Sequence, residues 1–235
     1  MIFERRAYTM EPDHVPAFDQ AQIDRGFDLV KSYMDRLVGY FSTRTGTSDQ
    51  VVHLYRYDSF EDWNVRLRGL YAVPELTPYF VNTRKIVRRQ VNGFLELLPV
   101  EALNPMWAGG NDWLPETGEK LTSLNGERVI EERAFQLRPG GIPAFVEACN
   151  EHGVRALGVM DERTVGAFMS MTGSLHNIIL WWWFEDSAER EARVGTLTDD
   201  PDWQNFISAI APLLIDQSSL LMTPRPVPEM SPLFG

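Results

Sequence analysis

Cysteine is nearly absent from this 235-residue chain: Cys149 stands alone, so no internal disulfide and no cysteine-built zinc or iron–sulfur site can form. Long apolar runs are scarce as well. The longest, Ile178 to Phe184, has seven residues, far short of the roughly 20 that span a bilayer as a helix. Positive charge is in deficit, with 22 Lys and Arg against 33 Asp and Glu and a formal net charge of −11. That is the wrong balance for neutralising phosphates, and no nucleic-acid partner is expected. The G-x-S-x-G elbow, the Walker loop and the G-x-G-x-x-G turn are all missing, and the four histidines never fall at H-x-x-x-H or H-E-x-x-H spacing. Serine-hydrolase, P-loop and dinucleotide chemistry therefore have no motif to rest on, and neither metal nor nucleotide cofactor is expected. Met1 to Arg6 pass straight into a charged strand pattern rather than a basic and then apolar leader, so a reducing, cytoplasmic setting is expected.

What is present is the composition of a globular protein, 44% hydrophobic and 23% charged, and a repeat. Gly166 to Phe184 reads as a β-hairpin whose second strand ends in Trp181, Trp182 and Trp183. Its Gly166, Phe168, Thr172 and Gly173 reproduce Gly39, Phe41, Thr45 and Gly46 at a constant offset of 127. The same offset relates Arg6-Ala7-Tyr8 to Arg133-Ala134-Phe135, Pro16-Ala17-Phe18 to Pro143-Ala144-Phe145, Arg66 to Arg193, Pro74 to Pro201 and Gln90 to Gln217. Two copies of one unit, residues 1–98 and 126–223, are therefore expected, joined by a connector over 99–125 and followed by a Pro-rich tail, 224–235.

Within a unit the patterns read strand, helix, strand, strand, helix, strand. Pro16 suits a first helical turn, and Val51 to Tyr57 alternates as a strand. Ser59 with Asp62, and Asp186 with Glu189, have the form of helix caps. A helix from Glu75 to Gln90, with Arg84, Lys85, Arg88 and Arg89 near its end, and a strand from Val91 to Leu98 close the first copy. Trp107 and Trp113 predict a connector packed against a domain. The prolines after Met222 predict a tail that neither extends the sheet nor forms a helix. The fold class is α+β: two ferredoxin-like βαββαβ units pairing as an intramolecular dimeric α/β barrel.

The residues Glu131-x-Arg133-x-Phe135, Pro139-Gly140, Gly166-x-Phe168, Thr172-Gly173, Trp182-x-Phe184, Arg190, Arg193 and Asp200-Pro201-x-Trp203 resemble the NIPSNAP family, and the first copy carries much of the same pattern. Trp63 stands where Arg190 stands, and Leu76 where Trp203 stands. The resemblance implies a dimeric α/β-barrel fold around a cavity and no settled activity.

Strand periodicity places Glu4, Arg6 and Tyr8 on one face and Glu131, Arg133 and Phe135 on its counterpart. Facing a cavity between the paired sheets, these residues would orient an anionic or carbonyl ligand; packed inside, they are ion pairs that fix the sheet. His53 shares its face with Tyr55 and Tyr57 and is matched by Leu180 in the second copy. His53 and Tyr55 are the candidates for acid–base chemistry; a hydrogen-bonded core histidine is the plainer alternative. Trp182 and Phe184 would shape the wall for a partly apolar or aromatic small molecule, or simply fill the core. The competing expectation is a non-enzymatic binding or scaffold protein that presents its helical surface to partners, with homo-oligomerisation through helical faces or sheet edges.

Overall fold

The computed structural model of the chain describes residues 1–124 and 127–235. The expected junction of connector and second copy, at 125 and 126, lies outside the described residues.

The first copy consists of β1 (Ile2–Met10), α1 (Val15–Arg25), the single turn α2 (Lys31–Met34), β2 (Leu37–Thr43), β3 (Gln50–Tyr57), α3 (Phe60–Tyr71), α4 (Thr77–Ile86) and β4 (Val87–Leu97). The second repeats it as β5 (Val129–Leu137), α5 (Ile142–Ala148), a π-turn over Cys149–Gly153, α6 (Val154–Leu157), β6 (Thr164–Ser170), β7 (Asn177–Phe184), α7 (Ser187–Asp199), α8 (Pro201–Ile210) and β8 (Leu214–Pro224). The strands follow the hydrogen-bonded order β1-β3-β2-β8-β5-β7-β6-β4, an antiparallel barrel flanked by helices. No helix among the described residues is long and apolar enough to cross a membrane.

Local chemistry accounts for most boundaries. The Ser59 hydroxyl accepts from the Asp62 amide at 3.2 Å while the Asp62 carboxylate accepts from the Asp58 amide, so two otherwise orphaned donors start α3. Asp186 and Glu189 do the same for α7, and Asp200 caps α8 ahead of Pro201. Gly46 and Gly173 turn the two hairpins at φ 79° and 78°, where a side chain would be strained. Two expectations need correction. The helix expected to reach Gln90 ends at Ile86, because β-branched Ile86 and Val87 favour extension and the Ile86 carbonyl accepts from the Glu11 amide. Arg88 and Arg89 therefore lie on β4. The first residue of the tail does join the sheet: Pro224 ends β8, and Met222, Thr223 and Pro224 pair with Thr43, Ser42 and Phe41 of β2. Pro224 is tolerated there because it is the last residue of its strand.

Contacts divide the chain into two compact units, one of Met1–Phe94, Trp113–Gly126 and Met222–Gly235, the other of Leu95–Asp112 and Glu127–Leu221. Both parts of the connector are packed. In the second unit the Trp107 indole donates to the Val165 carbonyl at 2.6 Å, and in the first the Trp113 indole donates to that of Glu119 at 2.8 Å. The tail is fastened to the first unit by the Arg225–Asp19 ion pair, by the Arg225 amide on the Tyr40 carbonyl, and by buried Met230, Leu233 and Phe234.

In each unit the middle strand is buried on both faces, which explains why β7 reads as a nearly continuous apolar run and why even His53 and Arg56 of β3 are buried. The second unit's core joins Phe135, Leu180, Trp182 and Phe184 of the sheet to Phe145, Trp203, Phe206 and Ile210 of the helices. Burying an aromatic or Leu side chain of this kind stabilises a fold by roughly 1.5–3 kcal/mol.

Candidate functional site

The strand face that carries Glu4, Arg6 and Tyr8 is turned toward the first unit's own helices. Register sets Arg6 opposite His53 and Glu4 opposite Tyr55 across β1 and β3, and sets Tyr40 of β2 opposite His53 from the other side. Arg6, Tyr8, His53 and Tyr55 of the sheet, with Phe18, Gln22 and Arg25 of α1 and Tyr79 of α4, line a cavity of about 100 Å³. This cavity lies between sheet and helices within one unit.

Beneath it, Glu4 is fully buried and fully paired: Arg6 forms an ion pair at 2.6 Å, Trp63 donates at 3.1 Å and Asn92 at 2.6 Å. The second unit builds the same cluster from equivalent positions, with Arg133 at 3.0 Å, Arg190 at 2.8 Å and Ser219 at 2.8 Å around buried Glu131. Burial alone would raise the Glu131 pKa, but Arg133 and the hydrogen bonds from Arg190 and Ser219 outweigh it and hold this carboxyl below its ordinary value. The two glutamates thus anchor the arginines beside them. Arg6 and Arg133 reach outward from them, over Tyr55 at 4.4 Å and over Trp182 at 5.2 Å.

His53 is placed otherwise. Its ring lies 4.8 Å from that of Tyr40, 5.2 Å from Tyr8 and 6.0 Å from Tyr55, only 4% of the residue is exposed, and neither ring nitrogen has a hydrogen-bond partner. Burial, reinforced by Arg6 and Arg25, pushes its pKa down to about 3, so the imidazole is neutral at physiological pH. The Nε of Arg6 and the Oε1 of Gln22, both lining the same cavity, are also buried without partners. Burial raises the Tyr8 phenol to about 12 and Tyr55 further, so both stay protonated as donors. Tyr57 accepts from Arg6 at 3.3 Å and stacks on Tyr55.

Gln22, Tyr40, Asp19, Arg25 and Tyr79 were not among the sequence candidates. The 127-residue offset holds the signal that would have found three of them. Buried Asp19, Gln22, Tyr40 and His53 become Val146, Cys149, Ala167 and Leu180 in the second unit, so a polar interior in one copy is wholly apolar in the other. There Leu180, Trp182 and Phe184 are core residues, and what remains is a groove of about 410 Å³ lined by Arg133, Phe135, Trp203, Gln217, Ser218 and Ser219. Another pocket of the first unit, about 450 Å³, is formed by Phe27, Met34 and Leu37 with Val227 and Phe234 of the tail. It is roomier than the His53 cavity, yet none of its lining atoms is a buried, unpartnered polar group. Among the described residues, no three His, Cys, Asp or Glu side chains converge as a metal site.

The fold and this geometry define a class: an internally duplicated α+β barrel protein in which one copy keeps a polar cavity under its helices. The NIPSNAP family profile matches residues 3–101 and 130–228, one match for each copy, and the chain belongs to that family. It is 25% identical to NipSnap homolog 2 of Danio rerio over 229 residues, covering 95% of this chain and 72% of that one. It is likewise 25% identical to human NipSnap homolog 3B over 239 residues, covering 99% and 85%. Among solved structures, one described as a putative monooxygenase from Fusobacterium nucleatum superposes with a TM-score of 0.61 at 9% identity, covering 95% of this chain and 91% of that one. At that identity the likeness concerns the fold alone.

Proposed function

We propose that the protein binds a small, partly apolar or aromatic molecule in the first unit's cavity, contacted by Arg6, Tyr8, His53, Tyr55 and Gln22. The observation that carries this reading is the set of four unpartnered polar atoms, on His53, Arg6 and Gln22, around one cavity. An unsatisfied buried polar group costs about 1–3 kcal/mol, and at the positions equivalent to Gln22 and His53 the second copy has the apolar solution, Cys149 and Leu180. Retaining the polar set is therefore explained by an occupant that completes its hydrogen bonds. A space of about 100 Å³ holds roughly three waters or a single small ring.

Of the roles open to His53 and Tyr55, hydrogen bonding is better supported than proton transfer. A base whose pKa lies near 3 has little affinity for a proton near neutrality, and the one carboxylate beneath it, Glu4, is held by Arg6. The element order of each copy and the likeness of the barrel to its structural relatives support reading both copies as ferredoxin-like βαββαβ modules, the second specialised for packing through Trp182 and Phe184. The test is a ligand-detected NMR screen of small carboxylates, phenols and amides against the wild type and His53→Leu. Saturable binding that disappears in a folded His53→Leu variant is expected; equal binding by both proteins overturns the assignment.

A further inference from the structure

The polarity of the cavity is one-sided. Its charged lining groups are the guanidiniums of Arg6, Arg25 and Arg84, with no carboxylate among them, inside a chain whose net charge is −11. Glu4 neutralises Arg6, but Arg25 is different. It is half-buried, and its hydrogen bonds go to the Gly26 carbonyl and to the sulfurs of Met34 at 3.5 Å and Met230 at 3.6 Å. It also stands 5.0 Å from the centre of the Tyr79 ring. Thioether sulfur is a weak acceptor, and no carboxylate among the described residues reaches Arg25. An arginine is always charged, so this guanidinium has lost water without gaining an anionic partner.

Resting on the binding role just assigned to the cavity, we infer that its ligand is an anion: a small monocarboxylate whose acid group meets Arg25 and whose apolar body lies among Tyr8, Phe18 and Tyr55. A carboxylate presents oxygens that outcompete the methionine sulfurs for the planar guanidinium donors. The unpartnered Arg6 Nε–H adds a donor. Neutral His53 supplies one donor and one acceptor without competing for the negative charge, and Gln22 Oε1 accepts from a hydroxyl on the same ligand.

Benzoate and its neutral isostere benzamide separate the two ideas. Titration into the full chain at pH 7, followed by calorimetry and by the His53 ring resonances, is expected to show benzoate binding at least about tenfold more tightly than benzamide, about 1.4 kcal/mol. Arg25→Met is expected to reduce that preference below about twofold, and Arg25→Lys to restore part of it. Benzamide binding as tightly as benzoate overturns the anion assignment and leaves a neutral-ligand site. If acetate, isobutyrate, benzoate and benzamide all fail to shift the His53 resonances, the binding role of the cavity falls as well. A preference that survives in Arg25→Met, with the variant folded, places the anion elsewhere and also overturns the inference.

Discussion

His53 carries a burden that can be measured without knowing any ligand. Its folded-state pKa of about 3 lies below the unfolded value of 6.5, so between those limits the unfolded chain holds the extra proton and stability rises with pH. The group's stabilising contribution is complete above the unfolded pKa and is lost as pH falls toward the folded one, at about 1.4 kcal/mol per pH unit. Urea unfolding of the wild type at pH 7 and pH 5 should therefore differ by about 2 kcal/mol more than the same pair of measurements on His53→Leu. The variant should also be the more stable protein at pH 7, by about 1–2 kcal/mol, since it removes unsatisfied polar atoms. Equal pH dependence in the two proteins would show that the imidazole ionises freely in the folded state. The paired glutamates behave oppositely: each is held by hydrogen bonds and ion pairs, and removing either would strand the arginines beside it.

At the scale of elements, the caps and hairpin turns were legible in the sequence because each depends on residues within four positions of one another, as Ser59 with Asp62 and Asp186 with Glu189 show. The end of α4 was not, since Arg84, Lys85, Arg88, Arg89 and Gln90 continue a plausible polar helix face and a long-range contact, the Glu11 amide on the Ile86 carbonyl, helps to draw the chain into β4. Nor was the tail. Proline content argued against pairing, but pairing needs only a few free amides beside the end of β2, and the Arg225–Asp19 ion pair helps to hold the segment in place. Arg225→Met should speed amide hydrogen exchange at Met222 and Thr223 by about tenfold, the consequence of losing roughly 1.4 kcal/mol of local stability. Unchanged protection there would mean that buried Met230, Leu233 and Phe234 fasten the tail without the ion pair.

Across the whole molecule, the duplication could be read from one number, the 127-residue offset, because both copies keep their turns and strand glycines in register. The face that carries the cavity could not be read. When β3 and β7 are buried on both sides, alternation no longer separates inside from outside, and only the helices packed over Arg6 and His53 make the distinction. The same offset supplies a control for the functional reading. Leu180→His places an imidazole at the position equivalent to His53, but among Phe135, Trp182 and the helix core rather than beside a cavity. It should cost at least about 2–4 kcal/mol in urea unfolding and create no binding. A mild effect, matching that of the native histidine, would mean the second interior accommodates polarity as readily as the first.

The constant register has an evolutionary consequence. In a symmetric homodimer every substitution appears twice, so a costly histidine is paid for in both partners. Two copies in one chain mutate separately. Asp19, Gln22, Tyr40 and His53 can therefore be polar in one copy while Val146, Cys149, Ala167 and Leu180 at the equivalent positions of the other are apolar. Fusion thereby separates the selection for function from the selection for folding.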